Sequence, residues 1–289
     1  MKPEKAVIRT TNQGFKANPT LPTRKSNLSV YFTHCGLACT ILATMLYFSS
    51  GNRAVAQSSE SHGVKNVLLV HGAWADGSSW SKVIPLLEAK GLKVTAVQLP
   101  LTSLADDVAT VKRAFALEDG PFLLVGHSYG GAVITEAGND PQVAGLVYVA
   151  AFAPDKGQST LDLITANPTP VGPELRPTAG FFKLSAKGVF EDFAQDLPEV
   201  ERKVLFAAQG PIAGAALGVP ITAPAWRNKP SWFVIASEDR AISPKLEEAE
   251  AQEMKAKSIT ISSSHVVMLS HSAEVAGFIE GAAEGSGTD

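Results

Sequence analysis

From Asn66 onward the chain alternates short apolar runs with longer stretches in which apolar residues recur every three or four positions. The runs NVLLV (66–70), LKVTAVQL (92–99), FLLVGHS (122–128), VAGLVYVAA (143–151), SWFVIAS (231–237) and SITIS (258–262) have strand length. The most apolar of them show no alternation, which predicts strands buried on both faces. Ser79–Ala89 carries Trp80, Val83, Ile84, Leu86 and Leu87 and stops before Gly91, while Ser103–Leu117 sets Leu104, Val108, Val111 and Phe115 along one face. These spacings predict helices, as do 131–137, 243–257 and 273–283. Strands alternating with helices imply parallel crossovers, hence a mostly parallel central sheet with helices on both faces. Ligands on such sheets bind beyond the carboxyl ends of the strands.

Residues 154–229 break this rhythm. They hold nine of the 18 prolines, and their clearest helix is PEVERKVLFAAQ (198–209), opened by proline and closed by Gly210. Inserted between strands, the segment is expected to be a mainly helical cap over a site.

Composition and charge narrow the picture. With 289 residues, 45% of them hydrophobic and 18% charged, the chain can bury a sizeable core. Its first 56 residues set seven basic side chains against the single acid Glu4, a charge of +6, which leaves −9 on the remainder of a chain whose net charge is −3. The basic lead, the apolar run GLACTILATMLYF (36–48) and the small-residue pattern Ala54-Val55-Ala56 predict a secretory signal peptide cleaved after Ala56. The competing expectation is an uncleaved anchor, because the apolar stretch counted from Leu28 approaches the roughly 20 residues that span a bilayer. Cleavage leaves residues 57–289 as an exported domain, periplasmic or secreted, with no membrane contact of its own. Both cysteines, Cys35 and Cys39, lie in the leader, so neither a disulfide framework nor a thiolate metal site is expected in the mature protein. A mature charge of −9 without a basic cluster argues against a nucleic-acid partner. Oligomeric state is not legible.

Candidate chemistry starts at GHSYGG (126–131). Ser128 stands where a strand gives way to a helix, and Gly126 and Gly130 permit the sharp turn that lifts a hydroxyl out of the sheet. A serine hydroxyl needs a base to take its proton and a third group to orient that base. The histidines available after the leader are His62, His71, His127, His265 and His271. His265 follows the SITIS strand on a loop at a strand's carboxyl end and is the preferred base; His271, at the start of the last helix, is its rival. Asp239, directly after SWFVIASE, is the candidate orienting acid, and the order Ser128, Asp239, His265 matches this architecture. An oxyanion requires two fixed N–H donors, for which the backbone of Tyr129 and of Ala73 in the HGAW loop are the candidates. Phe181, Phe182, Phe190, Phe193 and Phe206 are candidate pocket-lining residues in the cap.

In NVLLVHGAWADGSSW, LLVGHSYGG, VYVAAFAPD, ASEDRAI and SSHVVMLSH, in this order between residues 66 and 284, the chain resembles the α/β-hydrolase superfamily, and within it the small esterase branch that includes plant methylesterases and hydroxynitrile lyases. The resemblance implies a serine hydrolase of carboxylesterase type with the triad Ser128, Asp239 and His265, an oxyanion hole at Ala73 and Tyr129, small to medium esters as substrates and no metal or organic cofactor. In the hydroxynitrile lyases of this branch a Thr stands at the position of Gly72 and a Lys at that of Val266, so the resemblance favours ester hydrolysis over cyanohydrin chemistry. A ligand-binding relative that keeps the triad without turnover is the other alternative.

Overall fold

A computed structural model describes residues 63–287; the predicted leader and its cleavage site, with His62, lie outside them. The apolar runs fold into β1 (Asn66–Val70), β2 (Lys93–Ala96), β3 (Phe122–Ser128) and β4 (Val143–Ala151) before the cap. The cap contributes β5 (Leu175–Thr178), β6 (Phe181–Leu184) and β7 (Ile212–Ala213), after which come β8 (Ser231–Ala236) and β9 (Lys257–Ile261). The six strands outside the cap form one sheet in the order β2-β1-β3-β4-β8-β9, every neighbouring pair parallel. This is the expected α/β fold.

Period-two geometry splits each central strand between two apolar layers. Leu68, Val70, Leu124, Leu146, Tyr148 and Phe233 pack on one face, and Val67, Leu69, Leu123, Val125, Val147 and Val234 on the other. The helices are α1 (Ile84–Glu88), α2 (Leu104–Phe115), α3 (Tyr129–Ala137), α4 (Thr160–Ala166), α5 (Glu199–Ala208), α6 (Gly214–Leu217), α7 (Pro244–Glu253), α8 (Val267–Ser270) and α9 (Ser272–Gly285). Helices α2 and α3 cover the first layer; α1, α8 and α9 cover the second. α2 begins where Ser103 Oγ accepts the amide of Asp106, carries Asp106 and Asp107 in its first turn and ends on Lys112 and Arg113, each suited to the helix dipole.

Two elements differ from expectation. The single helix predicted over 79–89 is a 3-10 turn at Gly77–Trp80, capped by Asp76, followed by the short α1. Pro85 lacks an amide proton, so it suits the first turn of a helix and cannot sit inside one. The cap, which holds α4, α5 and α6, also contains the antiparallel sheet β5-β6-β7. Its hairpin turns on Ala179 and Gly180, both with positive φ, the requirement of a tight two-residue hairpin loop. Ala-Gly is a weaker turn signal than Asn-Gly, and the sheet was not legible for that reason. Among the described residues no helix is long and apolar enough to cross a membrane.

The face of α7 toward the sheet carries two buried carboxyl groups. Glu247 Oε2 accepts the amide of Ala236 at 3.0 Å, and Glu250 Oε1 accepts that of Ala153 at 2.9 Å. Burial, the largest effect, pushes Glu250 up from 4.5 to about 8, with the charge of Glu253 adding to it against the Ala153 hydrogen bond. Between those two pH values the unfolded chain binds fewer protons at this site than the folded one, so the group makes stability fall as pH rises; above about 8 the slope ends and the full penalty remains. Glu250→Gln is therefore expected to flatten this decline and to raise the thermal midpoint at pH 8–9 far more than at pH 5, since the penalty grows by roughly 1.4 kcal/mol for every pH unit crossed in that window. Calorimetry of both proteins across that range checks it, and equal midpoint differences at both pH values would refute it.

Candidate active site

Ser128 closes β3 and precedes the first residue of α3, with φ 54° and ψ −126°. That region is closed to most residues with a side chain. The neighbouring glycines serve by providing room. A Cβ on Gly130 would stand 2.6 Å from the carbonyl oxygen of Val70 and 2.7 Å from that of His71, and one on Gly131 would overlap the Phe152 carbonyl oxygen. Helix α3 thus rests directly on the ends of β1 and β4, and Ser128 takes the bend.

Asp239 lies three residues beyond β8. Its Oδ1 accepts the amides of Ala241 at 2.6 Å and Ile242 at 2.9 Å, and its Oδ2 lies 2.5 Å from His265 Nδ1. One oxygen shapes the loop as an Asx-turn does while the other meets the imidazole. A carboxylate only accepts, so Nδ1 carries the proton and Nε2 keeps a lone pair. His265 is 1% exposed, with its ring centroid 4.6 Å from that of His127 and 4.9 Å from that of Phe193.

The other described histidines are occupied. His127 Nε2 donates to the backbone oxygen of His265 at 3.0 Å, and burial, reinforced by the neighbouring His265, holds its pKa well below the usual range. His71 Nε2 accepts the amide of Leu99 at 2.9 Å and its Nδ1 donates to Gly72 O at 2.8 Å; burial lowers its pKa as well. His271 is itself the cap of α9, and its Nδ1 meets Ser270 Oγ.

Ala73, Ser128, Tyr129 and His265 share the wall of one cavity of about 530 Å³. Its floor is therefore built from segments at the carboxyl ends of β1, β3, β4, β8 and β9. Its roof comes from the cap, through Leu161, Ile164, Val171, Leu175, Phe182 and Leu217. Of the five phenylalanines expected there, Phe182 alone lines this cavity. Phe193 packs on His265 and Trp74 instead, Phe190 lies under the Arg202 guanidinium, and Phe206 is exposed. Among the described residues, the wall includes no ionisable residue other than His265 and Tyr129.

The Tyr129 phenol is itself hydrogen-bonded. It donates to Asp107 Oδ2 at 2.8 Å, while Asp107 Oδ1 accepts the amide of Leu101 at 2.9 Å. Asp107 is fully buried, and burial raises it to about 6 against both hydrogen bonds. Asp107 was not distinguishable in sequence from the acids that ordinarily open a helix. Glu247, beside Asp239, was likewise hidden on an apparently polar helix; burial first, then the Asp239 charge, pushes it well above the carboxylate range.

A sheet of this order, a strained serine at its crest and an insertion roofing the cleft define an α/β hydrolase. Residues 67–278 match the family model described as "Alpha/beta hydrolase family", and the chain belongs to that family. It is 32% identical over 138 residues to methylesterase 8 of Arabidopsis thaliana, covering 40% of this chain and 51% of that one. It is 29% identical over 197 residues to a pyrethroid hydrolase of Sphingobium wenxiniae, covering 54% and 68%. The chain spans about half the length of the first curated relatives it matches. Among solved structures, a pyrethroid hydrolase from Sphingobium faniae superposes with a TM-score of 0.68 at 21% identity, over 76% of this chain and 97% of that one, a likeness of fold.

Tyr129→Phe keeps the backbone amide of residue 129 and strips Asp107 of one of its two partners. A loss of about 1–3 kcal/mol in unfolding free energy is expected at neutral pH, read from denaturant midpoints. An unchanged midpoint would show that the buried pair contributes nothing.

Proposed function

We propose that this chain is a serine esterase that cleaves small to medium apolar carboxylic esters through an acyl-enzyme on Ser128. The observation that carries the reading is the buried Asp239–His265 pair, whose histidine lines the cavity that also exposes the strained Ser128. His265 Nε2 takes the hydroxyl proton as Ser128 Oγ attacks the ester carbonyl, and Asp239 steadies the imidazolium that forms. The amides of Ala73 and Tyr129 receive the oxyanion. His265 returns the proton to the departing alcohol, then activates a water that releases the acid from Ser128. Each step uses groups present on this chain.

The cavity supports the substrate class. About 530 Å³ lies within the range of small-molecule sites, and walls rich in Leu, Ile, Val and Phe, with no ammonium or guanidinium among the described residues, favour a neutral ester over a charged one. Similarity to named esterases and hydrolases points the same way. The lyase alternative meets an obstacle in the backbone, since a Cβ on Gly72 would stand 2.6 Å from Ser128 Cβ. Residue 266, a buried valine, supplies no ammonium.

Hydrolysis of p-nitrophenyl esters from acetate to octanoate is expected to run for many turnovers, with its best rate at intermediate length, and to fall by roughly 10⁴-fold or more in Ser128→Ala. Ester binding without product release by the folded wild-type protein would instead identify a ligand-binding relative.

A further inference from the structure

The loop that carries His265 has no regular structure of its own: β9 ends at Ile261 and α8 begins at Val267. Part of what fixes it comes from the cap. Asp196 Oδ2 accepts the amide of Ser264 at 2.8 Å and Ser263 Oγ at 3.0 Å, and its Oδ1 accepts Ser264 Oγ at 2.5 Å. Ser263 and Ser264 are buried, and Ser264 immediately precedes His265. Burial would raise the Asp196 carboxyl, but hydrogen bonds from Ser264, Ser263 and Ser270 outweigh it and hold the group below its usual range, so it is ionised at neutral pH.

The same cap segment grips the acid's loop. Gln195 Nε2 donates to Glu238 O at 2.7 Å, one residue before Asp239, and Asp192 pairs with Arg240 Nε at 2.9 Å, one residue after it. The loops are also joined to each other, through Glu238 N and Ser263 O at 3.1 Å. Cap residues 192–196 therefore hold both members of the Asp239–His265 pair from outside the cavity.

We propose that Asp196 is a positioning residue: by holding Ser263 and Ser264 it sets the ring of His265, so that the geometry of the base depends on the seating of the cap. The role rests on the reading of His265 as the base, and its test includes a signal that needs no substrate. The full chain would be compared with Asp196→Ala and Asp196→Asn by the low-field proton NMR resonance of the His265 imidazole N–H bonded to Asp239, and by kcat and KM on p-nitrophenyl butyrate. Asp196→Ala is expected to broaden or abolish the resonance and to lower kcat by about 10- to 100-fold, with KM changed less than about threefold. Asp196→Asn removes the charge but can still accept the Ser264 amide and donate to Ser264 Oγ, so it is expected to restore both signals.

The proposal is overturned if the folded alanine variant keeps the resonance and a kcat within about twofold of wild type, or if the asparagine variant is as damaged as the alanine one, which would mean that only charge matters. Should Asp196→Ala fail to fold, Ser264→Ala, which deletes one of the three bonds, gives the same readings at smaller amplitude. A resonance that responds in a protein without ester turnover would support the clamp and overturn the esterase reading alone.

Discussion

The backbone of Ser128 is held in a region that costs an L-residue on the order of 1–3 kcal/mol, and the surrounding fold is arranged to keep it there. Strands β1, β3 and β4 are buried along almost their whole length, which fixes the end of β3 from both sides. Gly130 and Gly131 bring α3 against the carbonyl oxygens of Val70, His71 and Phe152, leaving no space for the chain to relax into a wider turn. The amide of Phe152 bonds back to Ser128 O at 3.2 Å. Because the bend cannot open, the serine side chain stands above the sheet's carboxyl edge, and the loops after β1, β8 and β9 meet it there.

Around this crest, carboxyl groups from other segments hold the parts in place. Asp107 on α2 anchors the phenol of Tyr129 and the backbone at Leu101. Glu247 and Glu250 on α7 hold the amides of Ala236, at the end of β8, and of Ala153, just past β4. Burying such groups disfavours their charge, which is why Glu247 and Glu250 titrate high. Asp239 accepts two backbone amides on one oxygen and meets the imidazole with the other.

Much of this was legible in the sequence, for identifiable reasons. Strands buried on both faces read as unbroken apolar runs, so the ranges at 122–128 and 143–151 coincide with the observed ones. Asp239 and His265 stood out because each lies just beyond the carboxyl end of a predicted strand, and the structure brings the two together. The cap was harder to read. Its β5-β6 turn uses Ala-Gly, and the cavity's roof comes from Leu161, Ile164, Val171 and Leu217 in addition to Phe182, residues that no periodicity separates from ordinary core. Buried carboxyls at Asp107, Glu247 and Glu250 were hidden for a related reason: one sequence cannot tell an acid on a solvated helix face from one turned inward. Asp196 acquires its partners only through tertiary contact, across 68 positions of chain.

The proposed activation of Ser128 by His265 can be tested by covalent labelling, without knowledge of the natural ester. The protein would be treated with a fluorophosphonate, digested and mapped by mass spectrometry, with His265→Ala in parallel. One stoichiometric adduct is expected, on Ser128, forming far more slowly in the His265 variant. A folded protein that stays unlabelled, or an adduct on another residue that forms equally well without His265, would contradict it.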